Sequence, residues 1–201
     1  MGSDAAIVYF MTHPEVVIDP GKPVPDWPLS LQGIRRMKAA LGRPWLNSVG
    51  AVFSSAERKA TDAAQMVADH CLLSPIIVDD LGENDRSATG YLPQAEFEAV
   101  ADKFFARPQE SICGWERAVD AQRRVVEAVD RIIDMALSDE AAKNRDIVIV
   151  SHGGVGALLL CHLKCIPISR VEDQPNSGGG NVYAFRAATR RLISGWCRIE
   201  D

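Results

Sequence analysis

The sequence lacks the features that would suit a membrane, an oxidising compartment or a nucleic acid. No stretch approaches the ~18 consecutive apolar residues of a membrane-spanning helix. The start, Met1 to Ala6, has neither the basic nor the apolar segment of a secretory leader. It also departs from the myristoylation pattern at Ala6, where Ser or Thr is wanted. Cysteines are few: Cys71, Cys113, Cys161, Cys165 and Cys197 are odd in number and include no C-x-x-C pair, which fits a reducing compartment and predicts a cytoplasmic protein. Positive charge is in deficit, with 22 Lys+Arg against 27 Asp+Glu and a net charge of −5, so no global field favours nucleic acid or an anionic membrane. Any cationic site must be local. Neither an Asp-x-Asp pair nor a histidine cluster with ligand spacing is present, so no metal and no cofactor is expected.

What is present reads as one globular domain: 201 residues, of which 47% are hydrophobic, suffice to bury a sizeable core. The run Ala5 to Met11 is continuously apolar, as expected of a strand covered on both faces of a parallel sheet. Five prolines over 14–29 make an irregular excursion. Ser30 then caps a helix carrying Leu31, Ile34, Met37 and Leu41 on one face. A strand over Val49 to Phe53 leads to a helix opened by Ser54-Ser55, with Arg58 in its first turn and Ala60, Ala63, Ala64 and Val67 facing the sheet. Pro75 to Val78 reads as a third strand, and the polar stretch Asp79 to Pro93 as a functional loop. Two helical patterns follow, then the buried strand Asp146 to Ser151, an apolar helix begun by Gly153-Gly154-Val155-Gly156, and a closing hairpin across Ala187 to Arg190. The order β-α-β-α-β-α-α-β-α-β-β argues a three-layer α/β/α fold with a mostly parallel central sheet.

Ligands of such sheets bind beyond the carboxyl ends of the strands. The residues that follow those ends include His13, Arg58, Glu83 and His152. Two imidazoles and a guanidinium suit a dianion, and one carboxyl group suits proton transfer, so the set points to phosphoryl-transfer chemistry.

The motifs Thr12-His13-Pro14-Glu15, Ser54-Ser55-Ala56-Glu57-Arg58-Lys59-Ala60, Leu81-Gly82-Glu83 and Val150-Ser151-His152-Gly153-Gly154 resemble, in order and spacing, those of the histidine phosphatase superfamily, which includes the cofactor-dependent phosphoglycerate mutases. The resemblance covers nearly the whole chain, including the segment from Asn176 to Phe185. It implies a metal-free reaction through a phosphohistidine, with His13 as nucleophile, Arg58 and His152 as phosphate ligands, and Glu83 as proton donor to the leaving oxygen. The N–H groups of Gly153 and Gly154, at a helix start, add anion-binding dipole.

Two positions depart from the family pattern. Thr12 stands where the family carries an arginine that clamps the phosphoryl group, and Asp19 stands where it often carries asparagine. Thr12 offers phosphate one neutral hydroxyl in place of a guanidinium fork. Arg86, beyond Glu83, is the nearest candidate to restore the charge. His70 and His162 fall inside helical patterns and are expected to be structural or exposed, Gly178-Gly179-Gly180 reads as a flexible turn, and Phe104 and Trp115 as core. Residues 84–117 are expected to form a cap that selects the substrate. The leading expectation is a phosphohydrolase acting on a phosphorylated small molecule. A mutase with the same mechanism is one alternative, and a catalytically weakened phosphate-binding regulatory or scaffold protein another. A nucleotide-binding module is disfavoured because G-x-G-x-x-G is absent.

Overall fold

The computed structural model describes residues 6–175 and 178–201. Ala5 and Asn176, which the sequence reading placed in a strand and in the late family segment, lie outside the described residues. In chain order the strands are β1 (Ile7–Thr12), β2 (Val49–Ser54), β3 (Ile76–Ile77), β4 (Asp146–Ser151), β5 (Asn181–Arg186) and β6 (Leu192–Arg198). The helices are α1 (Leu31–Ala40), α2 (Arg58–Cys71), α3 (Gln94–Ala106), α4 (Ala118–Ser138) and α5 (Gly153–Leu163). They join one six-stranded sheet of order β3-β2-β4-β1-β5-β6. The pairs β2/β3, β2/β4 and β1/β4 are parallel, and β5 alone runs against its neighbours. The fold is α/β with a mostly parallel central sheet.

The continuous apolar runs follow from coverage on both faces. In β4, Ile147 and Ile149 pack with α4 and α5, whereas Val148 and Val150 pack with α1 and α2. In β1, Val8 and Phe10 join the first of these clusters and Met11 the second. Side chains alternate between faces with period two, and both faces are core, so no polar position interrupts either strand.

Several boundaries differ from the sequence reading. Ser54 ends β2, and α2 begins at Arg58, because Ser55 Oγ accepts the Glu57 N–H at 3.2 Å and holds the preceding turn out of the helix. The third strand shrinks to an exposed edge pair, Ile76–Ile77, where Pro75 can donate nothing to a ladder. Leu31 is exposed, and the buried face of α1 instead contains Arg36. Cys165 lies past the end of α5 with positive φ and is exposed, so it does not share the core position of Cys161.

The turn Gly178-Gly179-Gly180 is pinned, which corrects the expectation of a flexible turn. Its three φ angles are 101°, 70° and 67°. The Gly180 N–H donates to the His13 carbonyl at 3.0 Å, and buried Arg36 donates to the carbonyls of Gly179 (2.9 Å) and Gly180 (2.8 Å) while pairing with Glu15 and Glu200. A Cβ at Gly179 would collide with the His13 carbonyl oxygen, on a backbone that L-residues already disfavour. Gly179→Ala should therefore lower unfolding free energy by about 1–3 kcal/mol in urea titrations. It should also reduce activity disproportionately, because relief of the clash displaces His13.

Candidate active site

The site is assembled where β1, β2 and β4 end. Parallel pairing sets Thr12 opposite Ser151, and the His13 N–H extends the ladder to the Ser151 carbonyl at 3.1 Å. The next residue on each strand is a histidine, and the rings of His13 and His152 lie edge to face with centroids 5.2 Å apart. His13 Nδ1 lies 2.9 Å from the Pro14 carbonyl, an obligate acceptor. The proton therefore sits on Nδ1, and Nε2 keeps its lone pair. Burial pushes the His13 imidazole down to about 4, with Lys59 and Arg86 acting in the same direction against the Pro14 bond and Glu57. His13 is a neutral imidazole near pH 7 and can attack an electrophilic phosphorus.

His152 caps the start of α5 and is buried. Its Nε2 lies 2.8 Å from Ser55 Oγ and 3.3 Å from Glu57 Oε1. A carboxylate accepts only, so Nε2 carries the proton and Nδ1 is an acceptor, buried without a partner among the described residues. Burial holds this imidazole well below the usual histidine range. If phosphate gives it a proton at Nδ1, the imidazolium that forms lies beside Glu57.

Arg58 is not brought into the site: it is exposed as the first residue of α2. The inward cation is its neighbour Lys59, 3% exposed, whose Nζ pairs with Glu57 and donates to the Val24 carbonyl at 2.9 Å. Helical periodicity carried the signal, since Lys59, Ala63 and Val67 fall on one face at intervals of four and Arg58 falls on the other. Glu57 was also missed. Burial pushes its carboxyl up, yet His152, Lys59 and the Glu83 N–H together bring it down to about 2.

Glu83 reaches the site, but in an unexpected role. Its carboxylate accepts the N–H groups of Gly154 (3.1 Å), Val155 (3.0 Å) and Asn84 (3.2 Å). The Gly154 N–H expected to face phosphate is thus taken by a side chain, while Gly153 lines the cavity beside it. Two adjoining cavities share Glu83, Asn84 and Arg86. The smaller, of about 270 Å³, contains His13, Gly153, Gly154 and Gln174 under residues of α3. The larger, of about 480 Å³, runs between Pro23-Val24-Pro25 and the 83–90 loop, with Glu57 in its wall. The Arg86 guanidinium lies 5.0 Å from the Phe97 ring centroid and 5.6 Å from that of Trp115. It has no carboxylate partner among the described residues and acts on both histidines. Phe104 and Trp115 are buried as expected, but both also line the His13 cavity.

Thr12 does not offer its hydroxyl to a ligand. Fully buried, Oγ1 donates to Gln174 Oε1 at 2.7 Å and accepts the Asn181 N–H at 3.0 Å. Asp19 lines neither cavity and pairs with Lys22 at 3.1 Å. His70 and His162 are exposed. No group of three or more His, Cys, Asp and Glu side chains able to hold a metal occurs among the described residues.

A family model described as histidine phosphatase superfamily, branch 1, matches residues 9–191. No curated protein matches the chain. Among solved structures, the mycobacterial glucosyl-3-phosphoglycerate phosphatase in complex with inorganic phosphate superposes with a TM-score of 0.77 at 19% identity, over 98% of this chain and 100% of that one. Bacillus stearothermophilus YhfR gives 0.73 at 23% identity over 94% of each chain. The alpha-ribazole phosphatase from Shigella flexneri gives 0.67 at 18% over 94% and 95%. At these identities the likeness establishes a shared fold.

Two outcomes follow from the geometry. Arg58→Ala should leave kcat/KM within about twofold of wild type, whereas Lys59→Met should lower it at least tenfold and destabilise the fold by about 3 kcal/mol or more, because it strands the buried Glu57 carboxylate. Steady-state kinetics and urea unfolding of both variants decide this. The second concerns pH: the folded His13 value of about 4 lies below the ordinary histidine value of about 6.5, so the unfolded chain binds more protons between them. Its contribution to stability is complete above about pH 6.5 and is lost as pH falls through about 4, on the order of 3 kcal/mol. Unfolding free energies measured from pH 7 to 4 should fall less steeply in His13→Gln.

Proposed function

The chain belongs to the histidine phosphatase superfamily, and from that premise we propose that it is a metal-independent phosphohydrolase acting on a phosphorylated small molecule through a phosphohistidine at His13. The observation that carries this reading is the His13 imidazole itself: neutral, with its Nδ1 proton held by the Pro14 carbonyl and Nε2 free beside a second histidine. The shared fold with named phosphatases supports it.

In this reading Nε2 bonds to phosphorus as the bond to the leaving oxygen breaks, and water later attacks the phosphohistidine to release inorganic phosphate. Charge on the equatorial oxygens is met by Arg86, and a proton passed from the phosphoryl group to the open Nδ1 of His152 leaves an imidazolium backed by Glu57. The leaving oxygen needs a proton. Glu57, held at about 2, is ionised and cannot supply it, and Asp85 is held below its ordinary value by the Ser87 N–H and hydroxyl. We assign that proton to Glu83 because it is the carboxyl that lines both cavities; its carboxylate accepts from Gly154, Val155 and Asn84, so it must take up a proton before it can donate one. Residues 84–117, with α3 over the smaller cavity, act as the cap.

One observation favours the weakened, phosphate-binding alternative. The Glu57 carboxylate beside His152 opposes an incoming dianion. A single experiment separates the readings. Wild type mixed with a labelled phosphodonor should give acid-labile, base-stable label on His13, undiminished by chelator and absent from His13→Ala, with release of inorganic phosphate in turnover. Label lost on chelation, or carried by His152, overturns the proposed mechanism. Phosphate binding without label or turnover establishes the alternative.

A further inference from the structure

A hydrogen-bonded chain beside the smaller cavity ends in a donor with no acceptor among the described residues. It starts at the backbone N–H of Asn181, which donates to Thr12 Oγ1 at 3.0 Å. With its lone pair so engaged, the Thr12 hydroxyl donates onward to Gln174 Oε1 at 2.7 Å. The Asn181 carboxamide closes the ring: Nδ2 donates to the Pro175 carbonyl at 3.2 Å and to Gln174 Oε1 at 3.1 Å. Because the Pro175 carbonyl accepts only, the Asn181 amide cannot be turned over, and the atom of Gln174 facing it must be the oxygen. The network thus fixes which end of the Gln174 carboxamide points where.

The other end is Nε2, with two N–H donors. No acceptor is bonded to it among the described residues. It stands so close over Gly153 that a Cβ there would collide with it, and Gln174 lines the same cavity as His13, Arg86 and Gly154. An amide nitrogen oriented by two bonds to its oxygen, against a glycine that leaves room for it, is a preorganised donor aimed at an anion.

We infer that Gln174 is a phosphate ligand of this site, donating from Nε2 to a phosphoryl oxygen, and that Thr12 and Asn181 are positioning residues that set its orientation. The inference rests on the proposed phosphoryl chemistry at His13 and adds a ligand from the segment between α5 and β5. It gives Thr12 a role that a direct contact does not: its hydroxyl reaches phosphate through the carboxamide.

The test is calorimetric binding of inorganic phosphate to the full chain, alongside thermal unfolding and steady-state kinetics with an aryl phosphate. A hydrogen bond to a charged partner supports an expected loss of about tenfold or more in phosphate affinity for Gln174→Leu. Gln174→Glu keeps the side-chain shape and the acceptor for Thr12 and Asn181 but puts a carboxylate oxygen where the donor was, so its loss should be larger. Thr12→Val, which frees the carboxamide to rotate, should weaken phosphate by a smaller factor, about threefold. In Gln174→Glu the unfolding midpoint should stay within about two degrees of wild type, with the kinetic loss larger in KM than in kcat, a split that a purely structural role does not produce. Phosphate affinity within twofold of wild type in both Gln174 variants overturns the inference and leaves the phosphohydrolase reading standing. Wild type that binds no phosphate at all overturns both.

Discussion

The parallel pairing of β1 with β4 is the constraint on which the site depends. Thr12 lies opposite Ser151, and each strand places its histidine one residue further on. A shift of one residue in that register would turn one imidazole to the opposite face of the sheet and separate the rings. The register holds because both strands are buried on both faces, so a slip would exchange the side chains packed by α4 and α5 with those packed by α1 and α2. The end of β1 is clamped further by backbone bonds on either side of His13, its N–H to Ser151 and its carbonyl from Gly180. The pinned glycine turn and buried Arg36 serve the same purpose at one remove: they fix the strand end from which His13 projects.

Beneath the two rings lies a charged pair that the sheet alone would not require. Glu57 and Lys59 are two residues apart in the first turn of α2 and its approach, and their buried side chains pair directly. Removal of two opposite charges from water is costly, and such a pair adds little to stability unless further bonds satisfy it. Here Val24 accepts from Lys59, and Glu57 accepts from Glu83 and lies against His152. The pair therefore joins the prolines over 23–25, the 83–90 loop and the second histidine to α2. Both imidazoles remain neutral in this surrounding. For His13 that is the form needed for attack, and for His152 it leaves Nδ1 open as a proton acceptor.

The architecture was legible because each strand and helix announced itself locally. Val148 and Val150 against Ile147 and Ile149 gave an uninterrupted run that only a doubly covered strand explains, and Ser30 capped α1 by accepting the Gly33 N–H at 3.1 Å. His13, His152, Glu83 and Arg86 were legible as residues beyond strand ends. What escaped was direction. Arg58 and Lys59 differ by one position, about 100° around a helix, and it is Lys59 that falls in register with the buried Ala63 and Val67. Thr12 was read as a weak ligand because its partners, Gln174 and Asn181, lie more than 160 residues away and nothing in their spacing brings them together. Asp19 was read only as a departure from the family's asparagine, and Lys22, three residues later, supplies its local partner. Glu83 was placed correctly in space, while its bonds to Gly154 and Val155 depended on a loop path that no periodicity encodes.

In the proposed reaction the arginine that Thr12 replaces is made good from two places: Arg86 brings full charge from the 83–90 loop, and the Gln174 carboxamide brings directed donors from the segment before β5. A single guanidinium fork on a strand end would be rigid by its attachment, whereas Arg86 owes its place to the faces of Phe97 and Trp115. Such a contact is worth about 0.5–2 kcal/mol, depending on desolvation. The aromatic positions of α3 and its following loop therefore belong to the electrostatics of the site as well as to its packing. Arg86, Asn84 and Glu83 also border the larger cavity, so whatever fills that cavity presses on residues that line the His13 cavity as well. In the proposed reaction, binding energy from the leaving group can be used to set Arg86 and Glu83 in position, which ties substrate selectivity to rate in the same residues.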